Sequence, residues 1–221
     1  NELKNYITDK INNNKKIYIA TLNLDSLRVT YANLFSLNVQ KHWNELMKNN
    51  KIAFNDIPSY QIFITMYNES LINPDVLINY NNDETNNDEY LKYNKLISPI
   101  KFTFEKDSIQ IKNLNDEKNH FINALQGKRI LIINNNINNF KNKYNKEIFK
   151  NCEFIYLQTT LKIPWFNNYL QICKEIKNNE TQFDIALVDC YGYSNLITIF
   201  IYNNINKSAI SLENSLNYLL K

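Results

Sequence analysis

Side chains that could bind a phosphate, a sugar or a cation follow the ends of short apolar segments. The stretch FDIALVDCYGYSN, residues 183–195, runs from an apolar segment into Asp189 and then into four further candidates, Tyr191, Gly192, Tyr193 and Asn195. A carboxylate at the end of a strand could hold a ribose or a metal ion, and tyrosine rings could stack on a base or a sugar. The alternatives are a helix cap for the acid and ordinary core packing for the rings.

A second pair of candidates, Asn134 and Asn135, follows the apolar segment KRILIIN at residues 128–134. Their amides could donate hydrogen bonds to a phosphate, and the alternative is a solvated turn in an asparagine-rich chain. We predict that Cys190 is a small buried side chain, because no histidine is placed to activate it as a nucleophile. Neither a G-x-x-x-x-G-K phosphate loop nor a nucleophile elbow occurs in the sequence.

The elements that must position these side chains alternate regularly in the second half of the chain. Short segments rich in β-branched residues predict strands buried on both faces, and the helical spacing of apolar residues between them predicts intervening helices. The predicted strands are 128–134, 153–157, 183–189 and 208–212, and the predicted helices are 135–150, one with Pro164 in its first turn, 194–206 and 213–221.

This alternation predicts an α/β fold with a Rossmann-like, mostly parallel sheet flanked by helices. Open parallel sheets bind ligands where strands end and helices begin. The loops 134–136, 158–163 and 189–195 are therefore expected to face one crevice.

The first half of the chain, residues 1–125, is less regular than the Rossmann-like half, residues 126–221. It predicts strands at 16–24 and 75–80, helices at 27–37, 39–47 and 58–71, and a hairpin at 101–114. No linker and no internal repeat separates the halves, so we predict a single domain over residues 1–221.

Composition limits the partners and the compartment. The net charge is +3 and the basic and acidic residues are intermixed, which argues against nucleic acid as a partner; the lysines of 138–150 fit the solvated face of a helix. Three cysteines without C-x-x-C spacing favour a reducing compartment such as the cytoplasm. The most apolar segment, 196–202, is too short to span a membrane. No signal peptide is recognised.

Glycine occurs only twice in a chain crowded with asparagine. Asparagine tolerates the left-handed backbone region better than most residues do. We therefore expect asparagine to replace glycine at turns and helix ends.

The order of residues resembles a family of glycosyltransferases related to the GT-D class, found in bacteria and large viruses. The resemblance is carried by the segments LQGKRILIINNNINNFKNKY, PWFNNYLQICKEI, FDIALVDCYGYSNLITIFIY and NKSAISLENSLNYL. Matching positions include Gly127, Lys128, Tyr144, Trp165, Lys174, Ile176, the range 183–188, Cys190, Gly192, Asn195 and 207–210. The first half resembles the family more weakly, through IYIATLNLDSLRVTYANL and the segment 47–77.

The resemblance implies a nucleotide-sugar donor and a divalent cation, manganese or magnesium, near the Asp and Glu of a family motif written RfGdgE. A cation held by carboxylates stabilises the negative charge that develops on a diphosphate leaving group. Here TLNLDS, residues 21–26, stands at the motif and puts neither acid in register, while Asp25 lies one position away. Asp25 is therefore a candidate metal ligand, and the alternative is that it caps the following helix.

Two further departures affect the expected donor pocket. Glu213 stands where the family has a glycine, which adds a side chain and a negative charge beside the expected diphosphate. The family's CGaYG segment reads CYGYS here and keeps one of its two glycines. Both changes make the pocket narrower and less favourable to anions.

Two functions of different classes are consistent with these residues. In the first, the protein is a GT-D-like glycosyltransferase that moves a sugar from a nucleotide donor to a glycan or protein acceptor. Asp25 and Asp189 then hold the cation, and one of them or Glu213 deprotonates the acceptor hydroxyl. In the second, it is a catalytically inactive relative that needs no cation and serves as a binding or assembly component, such as part of a virus particle, with a protein partner or a second copy of the chain.

Overall fold

A computed structural model of the chain describes residues 2–22, 57–71, 74–79, 122–138, 141, 149–159, 164–212 and 216. Asp25 and Glu213 lie outside these residues, as do the predicted hairpin and the predicted helices at 27–37 and 39–47. Of the predicted helix at 213–221 only Leu216 is described, and it is helical. Tyr191 is described in its backbone alone.

Six strands form one sheet in which every pairing is parallel. Their order across the sheet is β2-β1-β6-β5-β3-β4. Apart from the hairpin, which lies outside the described residues, the strands predicted in both halves of the chain are present and belong to the same sheet, so the predicted α/β, Rossmann-like fold is confirmed. Their bounds are β1 Tyr18–Leu22, β2 Val76–Asn79, β3 Arg129–Asn134, β4 Glu153–Gln158, β5 Ile185–Asp189 and β6 Ser208–Ser211.

Of the helices among the described residues, four are numbered here: α1 Glu2–Asn12, α2 Ile57–Ser70, α3 Trp165–Asn178 and α4 Ser194–Phe200. α1 was not predicted, although Leu3, Tyr6, Ile7 and Ile11 follow helical spacing. The segment 194–206, predicted as one helix, is α4 followed by a π-helical turn at Ile201–Ile205. Pro164 lies at the N-cap of α3, one position before the first turn in which it was predicted. None of the described helices combines the length and apolarity that a bilayer crossing requires.

Strand β3 shows how the apolar segments build the core. Leu131 and Ile133 join the buried cluster on one face of the sheet, and Ile130 and Ile132 join the cluster on the other. Side chains alternate between the faces of a strand, so a continuous apolar run buries both. Side chains of α2, α3 and α4 complete the first cluster, and Ile11 of α1 belongs to the second. The sheet is thus flanked by helices.

Asparagine takes over a role that glycine usually has. Among the described residues, the non-glycine residues with positive φ are Asn14, Asn151 and Asn206, at 51°, 57° and 60°. Asn206 ends the π-helical turn in the left-handed conformation. The expected replacement of glycine at turns and helix ends is confirmed at these three positions.

Candidate functional site

The direction in which the chain adds strands to the sheet reverses between β3 and β5. From β3 the chain crosses to β4 on one side, and it then returns to place β5 on the other side of β3. The loops that follow β3 and β5 therefore leave in opposite directions, which is the arrangement in which open parallel sheets form a ligand-binding crevice at the carboxyl ends of two strands. Asn134 and Asp189 are the last residues of these strands and are direct partners in the register.

Asn134 and Asp189 are bonded to each other at the mouth of this crevice. Asn134 Nδ2 donates to Asp189 Oδ2 at 3.1 Å and to the Asp189 carbonyl oxygen at 3.2 Å. The backbone N–H of Leu216 donates to the same Oδ2 at 3.3 Å. Asp189 is 3% exposed and Asn134 is 8% exposed. The acid therefore joins the end of β5 to the end of β3 and to the C-terminal segment.

The remaining groups of Asn134 fix the two neighbouring loops. Its Oδ1 accepts a hydrogen bond from the backbone N–H of Asn136, which closes a turn over Asn135. Its carbonyl oxygen accepts a hydrogen bond from the N–H of Thr159, directly after β4. Three strand ends thus meet at Asn134, as the sequence predicts for loops that face one crevice. Asn135 is half-buried.

Asn195 binds the end of β1. Its Oδ1 accepts hydrogen bonds from the N–H of Thr21 at 2.9 Å and from the Thr21 hydroxyl at 3.2 Å, and its Nδ2 donates to the Thr21 carbonyl oxygen at 2.6 Å. The ladder between β1 and β6 ends at Ile19 and Ile210. The side-chain amide of Asn195 therefore bonds the backbone of Thr21 in place of the neighbouring strand. The Thr21 hydroxyl also bonds the Ser211 hydroxyl at 2.7 Å.

A cluster of buried polar side chains underlies the loop after β5. Asn168 Nδ2 donates to Tyr193 Oη at 2.5 Å, and the two residues are 2% and 1% exposed. Burial raises the pKa of the Tyr193 phenol and that of the Cys190 thiol, and the nearby Thr159 hydroxyl partly opposes both shifts. Thr159 Oγ1 itself is buried without a hydrogen-bond partner among the residues that the structure describes. The ring of Tyr193 thus packs in the core, and Cys190 is buried as predicted.

The loop after β5 is held tightly from within. The hydroxyl oxygen of Ser194 accepts a hydrogen bond from the N–H of Cys190 at 2.7 Å. Between them, Tyr191–Tyr193 form a single 3₁₀ turn that contains the buried Gly192. The chain therefore passes from β5 to α4 through one short turn that is closed by this hydrogen bond.

The described residues do not by themselves fit a divalent cation. A cation would compete for Asp189 Oδ2 with the two N–H groups that already point at it. In the part of the chain that the structure describes, no group of three His, Cys, Asp or Glu side chains could hold a metal ion. Asp25 and Glu213, the other candidate acids, lie outside that part.

Sequence reasoning missed three of the residues that build this edge. Thr21 was not recognised as the partner of Asn195, and neither Thr159 nor Asn168 was considered. Asn168 carries a usable signal, because it interrupts the buried stripe of α3 between Trp165 and Tyr169. A polar residue on a buried stripe indicates a hydrogen-bond partner inside the core.

Comparison with known proteins agrees with this architecture. A family model described as a GT-D fold-like domain matches residues 85–219, which is more than half of the 221-residue chain. No curated protein and no solved structure matches the sequence. On the strength of the family match, the chain belongs to the GT-D-like domain family.

Proposed function

We propose that the protein is a glycosyltransferase-related protein that binds a nucleotide-sugar donor in the crevice between the ends of β3 and β5. The observation that carries the proposal is the direct pairing of Asn134 with Asp189, at the ends of the two strands between which the strand order reverses. Nucleotides bind in that position in open parallel sheets. The family match supports the same class of ligand.

The residues of the crevice have different roles in this proposal. Asn134, Asp189 and Asn195 have amide or carboxylate groups engaged by neighbouring strands, so they position the crevice and keep its strand ends together. Asn135 and the backbone of Gly192 lie in the two loops that leave the crevice in opposite directions, and we assign them to donor contact. The side chain of Tyr191 is the remaining candidate for stacking on a base or a sugar.

Glycosyl transfer needs a group that accepts the proton of the acceptor hydroxyl. We assign this role to Asp25 and Glu213 in preference to Asp189. The same preference applies to the binding of manganese or magnesium. The reason is that Asp189 Oδ2 already accepts two hydrogen bonds and the side chain is buried. A cation bound at Asp25 would neutralise charge on the diphosphate of the donor.

A second function is favoured by the same hydrogen bonds. Because the best-placed acid of the edge is used structurally, a protein that binds a donor or a partner without transferring sugar also fits the site. The two functions differ in whether binding leads to turnover and in whether Asp25 is needed.

Donor binding is tested by thermal unfolding with UDP-, GDP- and CMP-sugars, each with and without manganese. One donor is expected to stabilise the fold, by about 2.7 kcal/mol at a concentration 100 times its Kd. The Asn135→Ala variant should weaken this stabilisation and Asn167→Ala, on the exposed face of α3, should keep it. If no donor changes the unfolding temperature of the unmodified protein, the donor-binding proposal is wrong.

Turnover separates the two functions. The donor that binds is incubated with manganese and with glycan and protein acceptors that carry free hydroxyl groups. Release of its nucleotide (UDP, GDP or CMP) is measured for the unmodified protein and for Asp25→Asn. Release that is lost in Asp25→Asn supports a transferase with a catalytic role for that acid. Saturable binding without release supports the binding protein.

A further inference from the structure

A second cavity lies at the opposite edge of the sheet, where the strands begin. It has a volume of about 420 Å³ and is bounded by the residues that precede β1, β3, β5 and β6. Volumes of this size are typical of sites for small ligands. Four lysines line it, Lys15, Lys16, Lys128 and Lys207, together with the single carboxylate of Asp184.

Three of the four lysines, Lys16, Lys128 and Lys207, donate hydrogen bonds to neutral oxygen atoms. Lys16 Nζ donates to the Tyr202 carbonyl oxygen at 2.8 Å and to Asn206 Oδ1 at 2.9 Å. Lys128 Nζ donates to Asn14 Oδ1 at 2.5 Å, and Lys207 Nζ donates to the carbonyl oxygen of Phe183. These bonds orient the ammonium groups without cancelling their charge.

The one carboxylate in the cavity is already neutralised. Asp184 Oδ1 lies 2.6 Å from Arg129 Nη2, and its Oδ2 accepts hydrogen bonds from the N–H and Nε of Arg129. Among the described residues, no carboxylate lies within ion-pair distance of the four lysines. The cavity therefore keeps the charge of four ammonium groups around one concave space.

Attraction of lysines to backbone carbonyl oxygens explains only part of this arrangement. Lys16 binds the carbonyl oxygen of Tyr202 in the π-helical turn, a common use of lysine near a helix end, and Lys207 binds the carbonyl oxygen of Phe183 before β5. Lys15 and Lys128 do not bind a carbonyl in this way, and they add two charges to the same cavity. Four like charges around one concave space attract anions and raise their local concentration there.

We propose that this cavity binds a small ligand through a diphosphate or a phosphate group. Lysine ammonium groups act as point charges that suit phosphate oxygens approaching from several directions. Four of them match the charge of a diphosphate better than that of a single carboxylate. The site is separate from the crevice after β3 and β5 and does not depend on the donor proposed there.

The site is tested by isothermal titration of the full chain with inorganic pyrophosphate, inorganic phosphate, UDP and glucose 6-phosphate in 150 mM NaCl. Pyrophosphate is expected to bind saturably and more tightly than phosphate. Comparison of UDP with glucose 6-phosphate identifies whether a nucleotide or a sugar phosphate supplies the group. The Lys15→Gln/Lys128→Gln double variant should weaken pyrophosphate binding at least tenfold.

The matched control is Lys174→Gln/Lys177→Gln, which removes the same charge from exposed positions of α3. It should bind pyrophosphate as the unmodified protein does, and urea unfolding verifies that both double variants are folded. If both double variants weakened pyrophosphate binding equally, the effect would be due to net charge alone, and the proposed site would be wrong. So would the absence of saturable binding by any of the four probes.

Discussion

At the scale of single residues, the carboxyl edge of the sheet is built by side chains that replace backbone pairing. Asn195 satisfies both the N–H and the carbonyl oxygen of Thr21, and Asp189 accepts hydrogen bonds from two other segments. Residues that look like ligand-binding candidates in the sequence thus hold the strand ends together. Their polar groups could bind a ligand, but in the structure they form hydrogen bonds within the chain.

We expect Asn195→Ala to destabilise the protein by about 2–4 kcal/mol, because it leaves the N–H and the carbonyl oxygen of Thr21 buried without partners. Urea unfolding measures the loss. Asn167→Ala on the exposed face of α3 is the control and should change stability by less than about 0.5 kcal/mol. Equal stability of the two variants would mean that the hydrogen bonds between Asn195 and Thr21 contribute nothing to the free energy of unfolding.

At the scale of elements, the described strands and most of the described helices were predictable, whereas helix α1 and the π-helical turn after α4 were not. The segments that became β3 and β5 are short, apolar and rich in β-branched residues, so their burial on both faces follows from sequence alone. The change to a π-helical turn after Phe200 could not be predicted, because its apolar pattern continues the helix. Helix α1 was missed although its apolar spacing is helical.

The candidate site was predictable in position and less so in detail. The pairing of Asn134 with Asp189 follows from two strand ends that meet at one edge of a parallel sheet. The hydrogen bonds of Asn195 could not be predicted, since they depend on β1 and β6 separating after Ile19. Burial of Tyr193 depends on Asn168, a partner from another helix.

The left-handed asparagines give a prediction at this scale. Asn151 has a φ of 57° and is exposed. Asn151→Ala should cost about 1 kcal/mol, because alanine has the steric penalty of this conformation without the local hydrogen bonds by which an asparagine side chain offsets it. Asn151→Gly should be neutral or slightly stabilising. Asn178→Ala, inside α3, serves as the control and should cause no loss in urea unfolding. A stable Asn151→Ala protein would contradict the steric explanation.

At the scale of the whole molecule, the two edges of the sheet differ in charge. The carboxyl edge contains the buried acid Asp189, and the amino edge contains four lysines around a cavity. Parallel strands make this division possible because all of them begin at one edge and end at the other. Two ligand sites on one sheet would therefore be well separated.

The amino edge should make stability depend on pH. Burial alone would raise the pKa of Asp184, but the hydrogen bonds and charge of Arg129 outweigh it and lower that pKa. The pair therefore stabilises the fold fully above the ordinary aspartate pKa of about 3.9, and its contribution disappears as the pH falls through the lower folded value.

Asp184→Asn is accordingly expected to unfold at lower urea concentration than the unmodified protein at pH 7, and the difference should shrink to nothing in strong acid. The effect should be small because both side chains are about 40% exposed, at 41% and 38%. Glu180→Gln, an exposed neighbour, is the control. A difference that stays constant down to the lowest pH would contradict the role of the Asp184 charge.

The place where a nucleotide sugar binds can be read directly from amide resonances of the ¹⁵N-labelled protein during titration with the stabilising donor. We predict saturable shifts at Asn135 and Gly192, at the ends of β3 and β5, in both the unmodified protein and the Lys15→Gln/Lys128→Gln variant. No saturable shift, or shifts confined to Gly127 and Lys128 at the opposite edge, would contradict a donor site between β3 and β5.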